Sequence, residues 1–381
     1  MKRPVVKALF GSLALVHVLF FQFGIANQYD PHVYPSIGPF IEGWYARLTD
    51  TSTPQSFGVL FGRVLPKPTA ERKKSIPLTY VAIVCSAGDQ APFVVAEAFP
   101  DPDHISVTVD GGMPVTENPD NRSPANFRWA ADPYGSFNVT AESTVFNFTI
   151  GDKSLAGSFG APVPWGPVGQ GPEGWLSNLP FIPLHWFVYS LSTFGDYTWE
   201  SRGDGLTIHG NARMHQEKNW GDGFPPSWIW MQGVDSSGST VFAGTFGVLK
   251  FLGYLSITAH LFGYRDYGAD VELDFRPDNS ISRMTADGCN GVARIEVLSF
   301  WYKVIVEARA PPATLQKCLR GPTEYGFQKV LVESFMATVD IAVYKRGYFS
   351  YHLMDMKSFE GAAIEFGGEE LCEHNPCTAE L

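Results

Sequence analysis

Runs of β-type sequence are the feature that most constrains how this chain can fold. Many segments rich in β-branched and aromatic residues alternate partly between apolar and polar side chains, among them TYVAIVCS and STVFAGTFGVL. Gly, Pro, Asn or Asp bounds many of them, and convincing long helical patterns are scarce. The sequence therefore predicts an all-β protein made of barrels or sandwiches.

Composition agrees with a folded β-protein and excludes some partners. The 381 residues are 45% hydrophobic and 14% aromatic, which is enough for a large core, and only 18% are charged. The formal net charge of −11 disfavours nucleic acid, because an acidic surface repels phosphate backbones. No CxxC or paired Cys/His spacing occurs, so we expect no metal.

The N-terminus predicts a secretory signal peptide over residues 1–26. Lys2, Arg3 and Lys7 form a basic start, an apolar run follows to Ala26, and small residues precede the expected cleavage site. The alternative is an uncleaved membrane anchor, which would then be the only contact with a membrane. We therefore expect a secreted or lumenal protein, or else a membrane-anchored one.

Sequons and cysteines bear on the same expectation. The triplets at Asn138 and Asn147 are good acceptors for glycosylation, and alternation places Asn138 on the solvent face of a strand. Of the five cysteines, Cys372 and Cys377 could close a small terminal loop in an oxidising compartment. An odd count leaves at least one cysteine unpaired.

A segment rich in Gly, Pro and Trp, residues 160–186, is the expected seam between two β-units. We expect an ordered loop that crosses between them and helps to cover the mouth of a pocket. The predicted units are residues 34–190 and 191–370, followed by a tail at residues 371–381.

The densest aromatic segment is EKNWGDGFPPSWIWMQG, residues 217–233. It reads as a strand, a corner at Asp222, and a second strand. In the first strand Glu217 would share a face with His215, while Lys218 would point to the other face. Asp before Gly is also an ordinary turn residue, so this pattern alone does not make Asp222 functional.

Five segments together resemble the tocopherol cyclases of plants and cyanobacteria, in the order in which that family has them. The most specific are EKNWGDGFPPSWIWMQ and PFIEGWYARLTD; the others are residues 174–186, 321–344 and 356–368. The resemblance covers roughly residues 34 to 370. It implies two lipocalin-like β-barrel domains in tandem, and a small apolar prenylated phenol or terpenoid as ligand.

The resemblance also implies a reaction that needs no cofactor. Tocopherol cyclases protonate the alkene of a prenylated hydroquinone, and the phenol oxygen captures the cation to close a chromanol ring. Such chemistry requires an apolar pocket, a carboxyl group that burial keeps protonated, and aromatic faces near the cation. The candidate acids are, in order, Asp222, Glu217 and Glu42.

Aromatic and histidine side chains near these acids are the candidate substrate contacts, or else they simply pack in the core. They are Trp44, Tyr45, Trp220, Trp228, Trp230, His185 and His215. A hydratase would share the first step of the reaction, with water in place of the phenol. A secreted carrier of an apolar ligand, without catalysis, and a glycosylated structural β-protein are the other readings. In each case we expect a monomer.

Overall fold

The computed structural model describes residues 31–68, 75–87, 93–110, 112–115, 126–167, 170–179, 182–251, 255–372 and 377. Within these ranges the regular structure consists of 22 strands and four short 3₁₀ helices, without an α-helix. The all-β prediction is therefore confirmed. The predicted signal peptide lies outside the described residues, as does most of the predicted tail.

The first half of the chain forms a twelve-stranded antiparallel sheet, sheet A, in the order β4-β3-β2-β1-β12-β11-β10-β9-β8-β7-β5-β6. Its strands are β1 (Phe40–Asp50), β2 (Gln55–Leu65), β3 (Thr79–Ala87), β4 (Val94–Ala98), β5 (Ile105–Val109), β6 (Met113–Pro114), β7 (Phe127–Ala131), β8 (Gly135–Val139), β9 (Thr144–Ile150), β10 (Lys153–Phe159), β11 (Leu184–Ser201) and β12 (Leu206–Gly221).

The second half forms a ten-stranded sheet, sheet B, in the order β16-β15-β14-β13-β22-β21-β19-β18-β17, with β20 on the side of β21. Its strands are β13 (Ser227–Val234), β14 (Thr240–Phe251), β15 (Leu255–Asp266), β16 (Val271–Phe275), β17 (Ser280–Asp287), β18 (Val292–Ser299), β19 (Tyr302–Arg309), β20 (Cys318–Thr323), β21 (Gly326–Arg346) and β22 (Tyr351–Gly368). The 3₁₀ helices are Pro102–His104, Gly174–Asn178, Arg202–Asp204 and Pro312–Leu315.

Each sheet curls around an apolar core of its own. Trp44 of β1 belongs to the core inside sheet A, and Ile229 of β13 to the core inside sheet B. A third cluster, which includes Trp228 and Trp230, fills the space between the sheets. Strand β13 is buried along its whole length because one face lines the sheet B core and the other lines the cluster between the sheets.

The chain changes sheets at residues 222–226, and this corrects the predicted boundary at residue 190. Residue 190 falls inside β11, and β11 pairs with β12 as far as Gly221. Gly221 has φ +142, and a Cβ there would lie 2.4 Å from the carbonyl oxygen of Pro183, so only glycine fits. Pro225 and Pro226 follow and cannot donate to a continuing ladder.

The Gly/Pro-rich segment 160–186 is accordingly not the crossing between the two units. It connects β10 to β11 within sheet A and lies against sheet B on the way. Arg265 of β15 donates to the backbone oxygen of Trp165 at 2.6 Å, and its guanidinium lies 5.3 Å from the centre of that indole ring. These contacts hold Trp165 against sheet B.

Two disulfides also differ from the sequence expectation. Cys372 pairs with Cys289 and Cys377 pairs with Cys318, so the C-terminal segment is fastened to sheet B instead of closing on itself. Cys85 is buried in sheet A as a free thiol.

The sequon residues Asn138 and Asn147 lie on β8 and β9. The phenylalanines next to them in sequence are buried on the opposite face of each strand. Glycosylation of the two asparagines stays a prediction.

Candidate active site

An apolar cavity lies between the two sheets. It encloses about 1230 Å³, its open mouth included, and strands of both sheets line it. Its lining contains, from the predicted site residues, Trp44, Tyr45, Glu217, Trp228 and Trp230, and it also contains Trp186, Phe224, His260, Phe327, Leu331, Glu173 and Glu365.

Three glutamates meet at this interface. Glu217 comes from β12 of sheet A, whereas Glu333 and Glu365 are directly opposite each other on β21 and β22 of sheet B. Glu217 and Glu365 line the cavity, and Glu333 is 1% exposed. Hydrogen bonds cross the gap in both directions: the Tyr45 hydroxyl donates to Glu333 at 2.7 Å, and the Trp230 indole N–H donates to Glu217 at 3.1 Å.

Burial favours the protonated form of the two sheet B carboxyl groups. Burial, and then the charge of Glu217, raise the pKa of Glu365 to about 7, although the Trp228 indole N–H donates to its carboxylate. Burial, and then the charge of Glu365, raise the pKa of Glu333 well above its usual range, despite the Tyr45 hydrogen bond. Because these groups interact, the pair titrates as a unit.

Glu217 has a different set of neighbours. The His215 Nε2 atom lies 2.8 Å from the same oxygen that accepts from Trp230. His215 itself is buried and does not line the cavity. Side chains of β12 alternate between its two faces as the sequence predicts. Glu217 points between the sheets, and Lys218 is buried at the opposite face.

Buried polar contacts fix Tyr45 and its neighbour Arg47 on β1. Arg47 donates to Gln232 of sheet B at 2.7 Å, and its guanidinium lies 5.0 Å from the centre of the Phe335 ring. The ring of Tyr45 stands edge-on to Trp230 at 5.4 Å. These contacts lock the two sheets together beside the glutamates, so the cavity wall is rigidly placed.

Glu42 does not face this cavity. It is fully buried at the other face of β1, where the His32 backbone N–H donates to it at 2.8 Å and Arg63 at 3.2 Å. Lys218 lies 3.7 Å away. Burial acts to raise the pKa of Glu42, but the His32 hydrogen bond and the charges of Lys218 and Arg63 outweigh it and hold the pKa at about 2. Glu42 is therefore an anion, unsuited to donate a proton.

Trp220 and His185 belong to the same polar cluster rather than to the cavity lining. Trp220 is stacked between His32, at 4.5 Å between ring centres, and His185, at 5.0 Å. His185 Nδ1 lies 2.8 Å from Glu173, whose other oxygen accepts from the Trp186 backbone N–H. Glu173 reaches the cavity, and so His185 is one residue removed from it.

Asp222 is exposed at the corner between the sheets. Its backbone N–H donates to Pro183 at 2.7 Å, and it lines an outer groove that shares Phe224 and Trp228 with the inner cavity. The turn therefore places Asp222 outside the lining of the cavity between the sheets. Its part in a reaction stays a prediction.

The sequence reasoning missed Glu333 and Glu365, although both lie in segments that carried the family resemblance. The alternation of the two strands contains a signal for these glutamates. In VLVESF and AAIEFG one acid stands on a strand face whose neighbouring positions, two residues before and two residues after, are apolar or small. Leu331 and Phe335 are these neighbours for the first acid. An acid on the buried face of a strand indicates a group whose pKa is shifted by its surroundings and which is a candidate for a functional role.

Among the described residues, no three His, Cys, Asp or Glu side chains are grouped so that they could hold a metal ion. Nor does any helix in the described ranges have the length and apolar character needed to cross a membrane.

A family model described as "Tocopherol cyclase-like" matches residues 160–368, which is more than half of the chain. The chain thus belongs to the tocopherol cyclase-like family. The family match includes the sheet B glutamates, Glu217 and the corner segment between them.

Curated relatives match over short segments. The Zea mays protein "Tocopherol cyclase, chloroplastic" is 39% identical over 59 residues, which is 16% of this chain and 12% of that protein. The Oryza sativa subsp. japonica protein "Probable tocopherol cyclase, chloroplastic" is 37% identical over 89 residues, 22% of this chain and 17% of that protein. Less than a fifth of either relative is therefore spanned.

A solved structure, kievitone hydratase from Nectria haematococca, aligns over 91% of this chain and 99% of its own, with 10% identity and a TM-score of 0.46. We base no inference on so distant a similarity.

Proposed function

We propose that this protein is an intramolecular cyclase, an isomerase that closes a chromanol ring on a prenylated hydroquinone or a related prenylated phenol. The observation that carries the proposal is Glu365, a carboxyl group with a pKa of about 7 that faces the apolar cavity lined by Trp228 and Trp230. Membership of the tocopherol cyclase-like family supports the same class of reaction.

Glu365 is the proposed general acid. Its proton adds to the trisubstituted alkene, a new C–H bond forms, and the positive charge falls on the tertiary carbon. An acid with a pKa near neutrality both carries its proton and can release it, which is the condition for effective general acid catalysis. Glu333, directly opposite Glu365 on the β21–β22 pair, is deeper, and its pKa is raised well above its usual range.

The surroundings suit a short-lived cation. Trp228 and Trp230 line the cavity, and aromatic faces attract positive charge without reacting with it. The carboxylate of Glu217 adds negative charge on the opposite wall. Capture by the phenol oxygen forms the C–O bond, and the phenol proton then returns to a carboxylate, so that atoms and charge balance without an oxidant.

The test is turnover by Glu365→Gln with a prenylated hydroquinone, with chromatographic detection of the chromanol. We expect a loss of ~10²–10⁴-fold in rate, with ligand binding retained, since glutamine keeps the shape but not the acidic proton. The matched control is Glu360→Gln, an exposed glutamate on the same strand, which should keep the wild-type rate.

Two outcomes would redirect the proposal. A wild-type rate in Glu365→Gln would move the acid to Glu217, and then to Glu333. If the wild type binds a prenylated phenol tightly but converts none, the protein is a carrier of an apolar ligand, since a carrier needs only the cavity.

A secretory location is the companion proposal. Its support is the pair of disulfides in sheet B, because such bonds persist in oxidising compartments. We expect the native protein to begin near Asn27 and to carry glycans at Asn138 and Asn147. N-terminal sequencing and a mobility shift after endoglycosidase treatment check this; a native N-terminus at Met1 on unglycosylated protein would refute it.

A further inference from the structure

Two hairpin turns at one end of sheet B expose large aromatic side chains. The turn between β18 and β19 carries Phe300 and Trp301, which are 63% and 60% exposed. The turn between β21 and β22 carries Tyr348 and Phe349, which are 101% and 103% exposed. Contiguous apolar exposure of this kind marks an interaction site rather than an ordinary surface.

The two turns form one surface. The Arg346 backbone N–H donates to the Trp301 carbonyl at 2.8 Å, and the Arg346 guanidinium lies 4.8 Å from the centre of the Phe300 ring. The Tyr351 hydroxyl donates to the Ser299 carbonyl at 3.3 Å. We call residues 299–303 and 344–352 the aromatic tip.

The aromatic tip is basic, although the chain is acidic. It contains Lys303, Lys345 and Arg346 and no Asp or Glu, whereas the whole chain has a formal net charge of −11. Lys345 and Arg346 are exposed, and the Lys303 ammonium lies 4.5 Å from the centre of the Tyr344 ring. Positive charge and exposed aromatic rings therefore occupy the same small area.

The aromatic tip is separate from the cavity. Glu333 and the tip lie toward opposite ends of β21, thirteen residues apart at Arg346, which is about 40 Å along an extended strand. Whatever binds at the tip does not touch the glutamates. Its role thus stands or falls independently of the proposed reaction.

We propose that the aromatic tip docks this protein on the surface of an anionic phospholipid bilayer. Trp and Tyr rings favour the level of the lipid headgroups, and Lys and Arg are attracted to anionic headgroups. A second copy of the chain is a poorer occupant, because two tips would bring like charges together. This contact is distinct from the N-terminal segment, which the sequence had offered as the only membrane contact.

The experiment is co-sedimentation of the full chain with phosphatidylcholine vesicles, with and without phosphatidylserine. We expect binding that requires phosphatidylserine and weakens as salt is raised. The double variant Tyr348→Ser/Phe349→Ser should partition at least about tenfold more weakly, since both rings leave the interface. Lys345→Gln and Arg346→Gln should each weaken partitioning about fivefold.

Matched controls separate the tip from general surface effects. Phe194→Ser removes an exposed ring from sheet A, and Lys317→Gln removes an exposed charge away from the tip; both should partition as the wild type does. Melting temperatures near that of the wild type show that the tip variants fold. Turnover of detergent-dispersed substrate should be unchanged by them, which distinguishes this proposal from that of the cyclase.

Equal partitioning of the wild type and the Tyr348→Ser/Phe349→Ser variant overturns the proposal, and so does equal binding to neutral and anionic vesicles. A wild type that ignores both vesicles but forms a concentration-dependent dimer, lost in the double variant, overturns it in favour of a second copy as occupant.

Discussion

Glu42 and Glu365 occupy two regions that differ in the charge they impose on a buried acid. Glu42 lies inside the curl of sheet A, with the His32 N–H, Arg63 and Lys218 around it, and its pKa is about 2. Glu365 faces the cavity between the sheets, and its pKa is about 7. Both carboxyl groups are withdrawn from water, which by itself disfavours the anion.

The difference lies in the neighbours. The surroundings of Glu42 supply cations and a backbone donor, so the anion is compensated. Near Glu365 the charged neighbour is another glutamate, Glu217, and one neutral indole N–H of Trp228 donates to it. Burial therefore raises the pKa of a carboxyl group only where nearby cations and donors do not compensate the anion. That is why we assign the reaction to the space between the sheets.

The largest effect expected from the difference between Glu42 and Glu365 is on the free energy of unfolding. Glu42→Gln removes the negative charge that faces Lys218 and Arg63, and breaking one side of a buried ion pair costs about 3–5 kcal/mol of unfolding free energy. Glu365→Gln breaks no ion pair, and at pH 7 it removes the cost of ionising a buried carboxyl group, so it should cost less than about 1 kcal/mol. Urea unfolding at pH 7 measures both. Equal losses would mean that the two sites do not differ in charge.

The second effect is a pH dependence of opposite sign at the two sites. The lowered pKa of Glu42 stabilises the fold above pH ~4.5, and that contribution, of order 3 kcal/mol, is lost as the pH falls towards 2. The raised pKa of Glu365 gives stability that is fully present below pH ~4.5 and is lost as the pH rises to about 7.

Thermal unfolding of the wild type and the two glutamine variants across this range isolates each contribution. The difference between wild type and Glu42→Gln should shrink at acid pH, and Glu365→Gln should gain on the wild type as the pH rises. A difference for Glu365→Gln that does not vary with pH would contradict the raised pKa.

The sequence predicted the parts of this comparison that depend on local pattern. Alternation within β12 separated Glu217 from Lys218, and turn residues placed Asp222 at a corner, as the structure has them. Strand runs predicted an all-β fold. These features follow from the two-residue period of a strand, which a sequence displays directly.

What the sequence did not predict depends on distant pairing. Glu333 and Glu365 become a pair only when β21 and β22 align, and their pKa values depend on Glu217 from the other sheet. The change of sheet at residues 222–226 was missed because the Gly/Pro-rich segment 160–186 looked more like a linker. Trp165 of that segment packs against β15, a contact that no local pattern reveals.

The smallest expected effect concerns Asp222, the first candidate from the sequence. It is exposed at the corner, and the hydrogen bond to Pro183 that holds the corner comes from its backbone rather than its carboxylate. Asp222→Asn should therefore change unfolding free energy by no more than about 0.5 kcal/mol, as other exposed substitutions do. Turnover should stay within about twofold of the wild type, because the outer groove is not where we place the acid. Rate and melting temperature, measured beside Glu365→Gln, decide the matter. A tenfold or greater loss of rate in Asp222→Asn at unchanged stability would move the acid from the cavity to the corner. It would also contradict the comparison of Glu42 with Glu365. The proton donor would then be a solvated aspartate and not a buried carboxyl group with a raised pKa.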